Sequence, residues 1–535
     1  MEKERRKFGM VLTFAVLFTT LTFVSAGCVS AATHYVNPTE SIQAAVDAAD
    51  LGDTIVVRDG TYTENINVYK RLTIKSENGS ENCIVLAENP NDHVFKVTTN
   101  YVNISGFTIE DASFSCGILL TGVNLTGVNN CTISTNIVSG NSQGIYLTNS
   151  IQNIIANNTV KNNGASGISL MGSNKNIVAN NTAKHNGNSG ITLRNSNNNE
   201  IRNNIANSNH FNGIYLNNSN DNRITDNDAS NTVNWDGISL DSSSNNEIRN
   251  NIANSNHFNG IVLGSSSDKN IIANNTVKNS GNSGIILMYS NDNKIANNTV
   301  KNNRYNGILL INSNSNRITN NDASNTVEDG ISLSSSCNNE VRNNVANSNN
   351  YNGIVLWISS NENIVANNTA KHNGGNGIIV NSNNNNKIYL NNFMDNGNNN
   401  AYSIGSTNIW NSPSKITYTY KGSTYTNYLG NYWNDYTGTD GNDDGIGDAS
   451  YVIPNGNKDN YPLMQQWENY FAPLEQEIFD TGEGTYPSIM GTHKGTSTPN
   501  KTIIVHKLYT CPSIGTGGHI EYVRFYGNDL DATKT

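Results

Sequence analysis

The stretch that decides the fold reads Gly167-Ile168-Ser169-Leu170, and 23 residues later it returns as Gly190-Ile191-Thr192-Leu193. Gly-Ile recurs eleven times at intervals of 23 or 24 residues, at Gly144, Gly167, Gly190, Gly213, Gly237, Gly260, Gly284, Gly307, Gly330, Gly353 and Gly377. In each copy the Ile and a following Leu, or Val in the last copy, stand two residues apart, which is the spacing of one face of a β-strand. A fixed period of this length is typical of a solenoid.

Each period also contains a second apolar position, followed three residues later by an asparagine. These asparagines include Asn158, Asn181, Asn204, Asn227, Asn251, Asn275, Asn298, Asn321, Asn344 and Asn368. The apolar position predicts a second strand, and the Val or Ala after the Asn predicts a third. Stacked coils would pair each strand in parallel with its equivalent one coil away, with Asn side chains bonded along the turn.

The period therefore predicts an all-β protein, a right-handed parallel β-helix with coils of 23–24 residues. Leucine-rich repeats are the main alternative, because they share the period and an asparagine ladder. Their consensus requires more leucine per repeat than these coils contain, so the parallel β-helix is favoured.

The composition excludes some partners. Only 14% of the residues are charged and the formal net charge is -10. No long basic stretch lies beyond the N-terminus, so no nucleic-acid partner is expected. The six cysteines have irregular spacing, which indicates neither a disulfide framework nor a CxxC metal site. A bridge between Cys116 and Cys131 stays open as an alternative to buried free thiols.

Residues 1–32 predict an export signal, with basic residues first and an apolar run from Met10 to Val24. Cleavage is expected after Ala32. The alternative is a lipoprotein site with Cys28 as the lipid acceptor. No other apolar stretch is long enough to span a membrane, so a secreted or cell-surface location is expected, without a transmembrane span after the signal.

Composition divides the rest of the chain into four regions. Residues 33–140 predict an N-terminal cap, with a short amphipathic helix over 41–49, and the first irregular coils. Residues 141–400 hold the regular coils, and residues 401–464 predict an aromatic C-terminal cap with an Asp-rich loop. Residues 465–535 are expected to begin a second, β-rich domain that is incomplete.

Several motifs resemble those of NosD-type β-helix proteins. They are Ser41-Ile42-Gln43-Ala44-Ala45-Val46, Gly52-Asp53-Thr54-Ile55, Asp59-Gly60-Thr61-Tyr62, Gly430-Asn431-Tyr432-Trp433-Asn434-Asp435-Tyr436 and Asp459-Asn460-Tyr461-Pro462-Leu463. The resemblance implies a pectin-lyase-like fold of the carbohydrate-binding and sugar-hydrolase group. The tail from Phe479 to Asn528 is similar to a domain of methanogen archaeal cell-surface proteins.

The family name also implies copper delivery, but the residues expected for copper are not grouped. The histidines at 185, 210, 257 and 372 are scattered, and no Cys, Met and His cluster suits copper. The resemblance is therefore extended to fold and location and not to copper.

The clearest local motif runs from Asp440 to Asp448 and resembles the first part of an EF-hand loop. Counting Asp440 as position one, oxygen ligands fall at positions 1, 3, 5 and 9, glycine falls at position 6, and position 7 offers a backbone carbonyl. The predicted ligands of a structural Ca²⁺ ion are Asp440, Asn442, Asp444, Ile446 and Asp448. Position 12 is Tyr451, so Asp435 is the candidate for the missing bidentate ligand. The alternative is an Asp/Gly turn without metal.

Aromatic residues stand two positions before the repeated glycine in three successive coils, as Phe211, Trp235 and Phe258. Coil stacking would align them along the rod, where they are candidates for stacking on a glycan. The alternative is an aromatic stack that only packs a turn.

No catalytic residues are predicted. Asp236 and Asp329 occupy equivalent positions four coils apart, about 19 Å by strand spacing, whereas a glycosidase pair needs roughly 5–10 Å. Asp226 and Asp228 are closer, but they stand at a turn, where Asp is common.

The sequence thus favours an extracellular structural or adhesive surface protein that binds envelope polysaccharide through one face of the rod. The first alternative is a polysaccharide-modifying hydrolase, lyase or epimerase. The second alternative is a copper-maturation factor.

Overall fold

The computed structural model describes residues 31–123 and 126–471, together with the backbone of residues 523–527 and 530–534. The chain divides into two units, Met1–Phe471 and Ala472–Thr535. The first unit is a parallel β-solenoid of about 16 turns with almost no helix, which confirms the predicted fold. The predicted signal through Ser30, including Cys28, lies outside the described residues, as does most of the tail assigned to a second domain.

Sheet 1 is formed by the strands that begin at the repeated Gly-Ile. All of its neighbours pair in parallel and in register, so that Ile168 faces Ile191, and Ile191 faces Ile214. Its fifteen strands are Ile66–Val68, Phe95–Val97, Cys116–Leu120, Gln143–Thr148, Ile168–Met171, Ile191–Arg194, Ile214–Asn217, Ile238–Asp241, Ile261–Gly264, Ile285–Met288, Ile308–Ile311, Ile331–Ser334, Ile354–Trp357, Ile378–Asn381 and Ala401–Ile404.

Sheet 2 is formed by the strands around the second apolar column. Its seventeen strands are Thr33–Val36, Thr54–Val57, Thr73–Ser76, Asn103–Ser105, Thr132–Ser134, Ile154–Ala156, Ile177–Ala179, Glu200–Arg202, Arg223–Thr225, Glu247–Arg249, Ile271–Ala273, Lys294–Ala296, Arg317–Thr319, Glu340–Arg342, Ile364–Ala366, Asn384–Tyr389 and Thr407–Ile409.

Sheet 3 follows the asparagine turn and is interrupted, unlike the other two. Its strands are Gly60–Thr63, Cys83–Leu86, Thr108–Glu110, Ile137–Ser139, Thr159–Lys161 and Thr182–Lys184, then Thr276–Lys278, Thr299–Lys301 and Asp322–Ser324, then Thr369–Lys371, Asn392–Met394 and Tyr432–Trp433. At Ile205, Asp228, Ile252 and Val345 only isolated parallel bridges continue the pairing. The prediction of a third strand in every coil is therefore wrong for these four coils.

The core is a set of continuous apolar columns inside the cylinder. Ile168, Ile191 and Ile214 are fully buried, as is the second apolar column of sheet 2 from Ile155 to Val365. Burying one such side chain contributes roughly 1.5–3 kcal/mol, and no coil buries its own without its neighbours. Stability therefore accumulates by stacking.

The predicted asparagine ladder is present in the turn between sheets 2 and 3. The backbone N–H and the side-chain Nδ2 of Asn204 both donate to Oδ1 of Asn227, at 2.9 and 3.0 Å. The Nδ2 of Asn227 donates in addition to the carbonyl of Ile201 at 2.9 Å. Each rung thus satisfies buried backbone groups of its neighbours, which explains why asparagine recurs here.

The N-terminal end is covered by the helix Ile42–Ala48, as predicted. Ser41 caps it by accepting from the N–H of Ala44. The carboxylate of Glu64 also accepts from the N–H of Ile42 and of Gln43, at 2.7 and 3.0 Å. The helix buries Ile42 and Val46 against the first coil, where an open sheet edge would otherwise remain.

The C-terminal end of the solenoid is covered by aromatic residues. It contains the antiparallel hairpins Ile416–Tyr420 with Ser423–Asn427 and Tyr451–Ile453 with Asn457–Asp459, and the 3₁₀ helix Trp467–Tyr470. Trp433 stacks on Phe393, with 5.0 Å between ring centroids, and on Tyr451, with 4.3 Å. We call residues 405–471 the C-terminal cap.

Two further predictions concern the cysteines and the tail. Cys116 and Cys131 are free buried thiols, so the alternative of a bridge between them is wrong. In the second unit the structure describes one antiparallel hairpin, Val523–Gly527 with Leu530–Lys534. The predicted strand at 503–505 lies outside the described residues.

Candidate functional site

The predicted aromatic residues lie in one row on the outside of the turn between sheets 3 and 1. The N–H of Phe258 donates to the carbonyl of Trp235 at 3.2 Å, which fixes these residues in adjacent coils. The Phe211 and Trp235 rings are 6.0 Å apart and within 14° of parallel. Phe211, Trp235 and Phe258 are 37%, 48% and 47% exposed. We call them the first triplet.

The aromatic row continues with gaps towards the C-terminus. The N–H of Glu328 donates to the carbonyl of Tyr305, and the N–H of Tyr351 donates to the carbonyl of Glu328, at 3.3 and 3.4 Å. Tyr305 and Tyr351 are exposed. We call Tyr305, Glu328 and Tyr351 the second triplet.

A row of Asn, Ser and Asp side chains lies one residue further along each coil. Asp236 is 5% exposed, and its Oδ1 accepts from both the N–H and the Nδ2 of Asn259, each at 2.9 Å. Asp329 is bonded in the same way by Asn352, at 3.0 and 2.8 Å. Burial raises the pKa of both carboxyls. Each Asp therefore replaces an Asn in a ladder that runs along the rod.

The carboxylates do not form a catalytic pair at these positions. Asp236 and Asp329 lie in the same row four coils apart, about 19 Å by the spacing of paired strands, whereas a glycosidase pair is roughly 5–10 Å apart. Asp226 stands at a left-handed turn position with φ 58°. Asp228 accepts from Asn207 at 3.1 Å through Oδ2, while its buried Oδ1 has no partner among the described residues.

The Asp-rich loop from Asp440 to Asp448 closes on its own carboxylates. Asp440 Oδ2 accepts from the N–H of Gly445 at 2.9 Å, and Asp444 Oδ1 accepts from the N–H of Ile446 at 2.9 Å. Asp448 Oδ2 accepts from the N–H of Gly441 at 2.9 Å. Gly445, at position six of the motif, has φ +86°, a conformation that favours glycine.

The loop brings Asp440, Asn442 and Asp444 together, since Asn442 donates to Asp444 at 3.2 Å. Asp435, predicted as an additional ligand, lies elsewhere and accepts from Asn400 at 2.8 Å and Tyr451 at 3.1 Å. Across the part of the chain that the structure describes, no three His, Cys, Asp or Glu side chains are grouped closely enough to hold a metal ion. The calcium site therefore stays a prediction.

Two family models match adjacent parts of the chain. The model described as a right handed beta helix region matches residues 116–277, and the model described as a periplasmic copper-binding protein (NosD) matches residues 282–438. The protein is a right-handed β-helix. No curated protein matches the chain significantly.

Solved β-helix structures resemble this chain at low identity. The A-module of mannuronan C-5 epimerase AlgE4 from Azotobacter vinelandii is 15% identical, with a TM-score of 0.43 over 62% of this chain and 91% of its own. An alginate lyase from Paenibacillus sp. str. FPU-7 is 19% identical, with a TM-score of 0.34 over 50% of this chain and 94% of its own. At these values the likeness concerns the fold alone.

Copper does not fit the residues of the segment that matches NosD. His372 is the single histidine in that segment, and its nearest charged partner is Asp395, with Nδ1 3.9 Å from Oδ2. Cys337 lies in a different turn, where its Sγ donates to the carbonyl of Ser359. Met394 neighbours His372 across the coils, since its carbonyl accepts from the N–H of His372 at 3.0 Å, but its Sδ accepts from Gln466 at 3.4 Å. One imidazole and one thioether do not make the Cys, Met and His cluster that copper requires.

No helix in residues 31–123 and 126–471 of this β-helix is long and apolar enough to cross a membrane.

The sequence located the first triplet but missed the exposed aliphatic residues beside it. Ile205 and Ile252 are 44% and 45% exposed, because they stand at the outward-facing position that Thr182 and Thr276 occupy in neighbouring coils. The signal was available, since residues 205–213 and 252–260 are the same nonapeptide, Ile-Ala-Asn-Ser-Asn-His-Phe-Asn-Gly.

Proposed function

We propose that this protein is exported and acts at the cell surface as a rigid rod that binds envelope polysaccharide along the first triplet. The observation that carries the proposal is a row of three half-exposed aromatic residues in adjacent coils. Aromatic side chains stack on the apolar faces of sugar rings. They are favourable at interfaces because each buries a large surface area and loses little conformational entropy. Pairing strands fix the coils about 4.8 Å apart, so the row runs parallel to a chain lying along the axis.

The rod itself supports an adhesive role. The aromatic residues stand on turns between paired strands, and each turn is held by hydrogen bonds to the coils on both sides. Thr232 Oγ1, for example, donates to Asn256 Oδ1 at 3.0 Å, and the N–H of Thr232 donates to the same atom at 3.1 Å. A binding surface on such a scaffold is preorganised, which reduces the entropy lost on binding.

The test is retardation of the full chain in native gels that contain soluble polysaccharides, together with a glycan array. We expect binding to one class of glycan, reduced about tenfold or more in Trp235→Ala, as for an interface hot spot. Trp357→Ala is the matched control, since Trp357 is also half-exposed but stands at the end of a sheet 1 strand, outside the row. Absence of binding to every glycan would contradict the proposal.

We also propose that the loop from Asp440 to Asp448 binds a structural Ca²⁺ ion. The support is the spacing of the oxygen-bearing residues, with glycine at position six and backbone N–H groups holding Asp440 and Asp444 in place. The loop packs on the hairpin of the C-terminal cap, where Tyr425 donates to the carbonyl of Asp443 at 2.9 Å. Calcium would therefore stabilise this cap.

Addition of EDTA should lower the melting temperature of the cap by a few degrees, and calcium should restore it. The variant Asp440→Asn should melt at the lower temperature under both conditions. A melting temperature that EDTA leaves unchanged would contradict the calcium proposal without affecting the glycan proposal.

A further inference from the structure

The first triplet belongs to a three-coil unit whose outer coils have the same sequence. The nonapeptide at 205–213 returns at 252–260, and the intervening coil contributes residues 228–237. In all three coils the strand of sheet 3 is reduced to an isolated bridge. The same interruption occurs in the coil at Val345, whereas the coil of Tyr305 keeps its strand, Thr299–Lys301.

Six apolar side chains lie on the outside of these coils between sheet 3 and sheet 1, with Asp228 between Ile205 and Ile252 in their column. Ile205 and Phe211 contribute from the first coil, Val233 and Trp235 from the second, and Ile252 and Phe258 from the third, all of them more than one-third exposed. Asn207, Asn234 and His210 border the surface. Among these, Asn234 Nδ2 and His210 Nε2 are 2.9 Å apart and connect adjacent coils.

The charges on this surface are all of one sign near neutral pH. Residues 205–213, 228–237 and 252–260 contain no Lys or Arg, and their acidic residues are Asp228 and Asp236. Asp228 has one buried oxygen without a partner among the described residues, and Asp236 is already engaged by Asn259. Lys184 and Lys278 flank the unit in the coils before and after it. A carboxylate or sulfate group over the central coil would lose hydration without gaining a cation from these three coils.

We propose, building on the glycan-binding function above, that the first triplet takes a segment of polysaccharide that carries no acidic groups. Its aromatic and aliphatic side chains contact the apolar faces of the sugar rings. The Asn and His side chains at the border bond to the hydroxyl groups, which they match as both donors and acceptors. The ligand lies along the axis over three coils.

The second triplet is a charged counterpart of this unit within the same chain. Its central coil repeats Asp-Ala-Ser-Asn-Thr-Val, which occurs at 228–233 and again at 322–327. Glu328 then takes the place of Trp235, and Arg304 precedes Tyr305. Asp322 is paired with Lys301, whereas no Lys, Arg or His among the described residues forms an ion pair with Asp228. We therefore expect the second triplet not to bind the uncharged chain.

The experiment exchanges the central residues of the two triplets in the full chain. The probes are soluble β-glucan, mannan and chitin oligosaccharides as uncharged glycans, and alginate and polygalacturonate as acidic ones. The original chain should bind an uncharged probe and neither acidic probe. Trp235→Glu should lose about tenfold or more in affinity, with an unchanged far-ultraviolet β-spectrum.

Glu328→Trp should gain affinity, and it should do so for long oligosaccharides only, because a chain that reaches both triplets binds with a high effective concentration. An equal gain in affinity for a disaccharide would contradict the binding of one chain to both triplets. No gain in affinity for any probe would refute the assignment of the second triplet as a counterpart of the first. Binding of alginate or polygalacturonate that is lost in Trp235→Ala would refute the uncharged ligand while leaving the glycan function intact. Failure of every probe to bind would refute both.

Discussion

The body of the solenoid and its C-terminal cap bury their apolar side chains in different ways. In the body, Ile238 packs between its equivalents Ile214 and Ile261, and each coil repeats the arrangement of the last. In the cap, Tyr418 and Tyr470 are buried on a hairpin and on the 3₁₀ helix, at positions that no coil repeats. The body is thus stabilised by many copies of one contact, and the cap by single contacts.

The asparagine ladder shows where the two regions meet. Each Asn donates to the Oδ1 of the next, so the last one needs an acceptor that is not another Asn. Asn391 donates to Asn431 over 40 residues of sequence, and Asn431 donates from its N–H to Oδ2 of Asp459 at 2.7 Å. The N–H of Tyr461 and the Nε1 of Trp433 also donate to Asp459, at 2.9 and 3.0 Å. A carboxylate ends the ladder because it is the side chain that only accepts.

The largest effect is expected from removing the same buried group from two coils of the body. Ile214→Ala and Ile285→Ala should each lower the free energy of unfolding by about 2–5 kcal/mol, from lost burial and the cavity left behind. The two values should agree closely, since the coils are equivalent. Denaturant unfolding measures them, and Ile154→Ala, at an exposed position, should cost well under 1 kcal/mol. Clearly different values for the two coils would contradict the equivalence.

A smaller effect, specific to the cap, is expected from pH. Burial raises the pKa of Asp459 from its ordinary value of 3.8 to about 6 in the folded chain. The folded state then holds more protons between these values, so stability decreases as pH rises through this window, by on the order of 3 kcal/mol. The melting temperature of the cap, followed by Trp fluorescence, should fall from pH 4 to pH 7. Asp459→Asn should remove this dependence, and an equal slope in both proteins would disprove it.

The smallest effect is expected from one rung of the ladder within the body. Asn227→Ala would leave the N–H of Asn204 and the carbonyl of Ile201 without their partners, at a cost of about 1–3 kcal/mol. Because neighbouring coils remain stacked, hydrogen exchange should increase at Asn204 and adjacent amides but not in the cap. A loss of protection from hydrogen exchange throughout the chain would show that one rung stabilises more than its adjacent coils.

The fold was predictable because the period repeats the same physical requirement many times. Ile168, Ile191 and Ile214 recur at one coil position, so their common burial followed directly from spacing. The cap was predictable only as an aromatic-rich region. The spacing does not predict that Asp459 accepts the last hydrogen bond of the ladder from Asn431. That contact depends on how two hairpins pack over the last coil.

The candidate site was predicted in part for the same reason. The alignment of Phe211, Trp235 and Phe258 is a consequence of the period, and the sequence gives it. The degree of their exposure does not follow from the period, because it depends on the packing of each turn. The Asp440 loop was found by its motif, but the place of Asp435 outside it required the packing of the cap.

By itself the sequence determined the coil, its register and the columns inside it, because repetition at 23–24 residues leaves parallel stacking as the way to bury every Ile and Leu. Only the tertiary structure decided which outer residues face solvent, where sheet 3 is interrupted and what ends the asparagine ladder. These depend on contacts between residues that occur once and are far apart in the chain, and a periodic pattern carries no information about them.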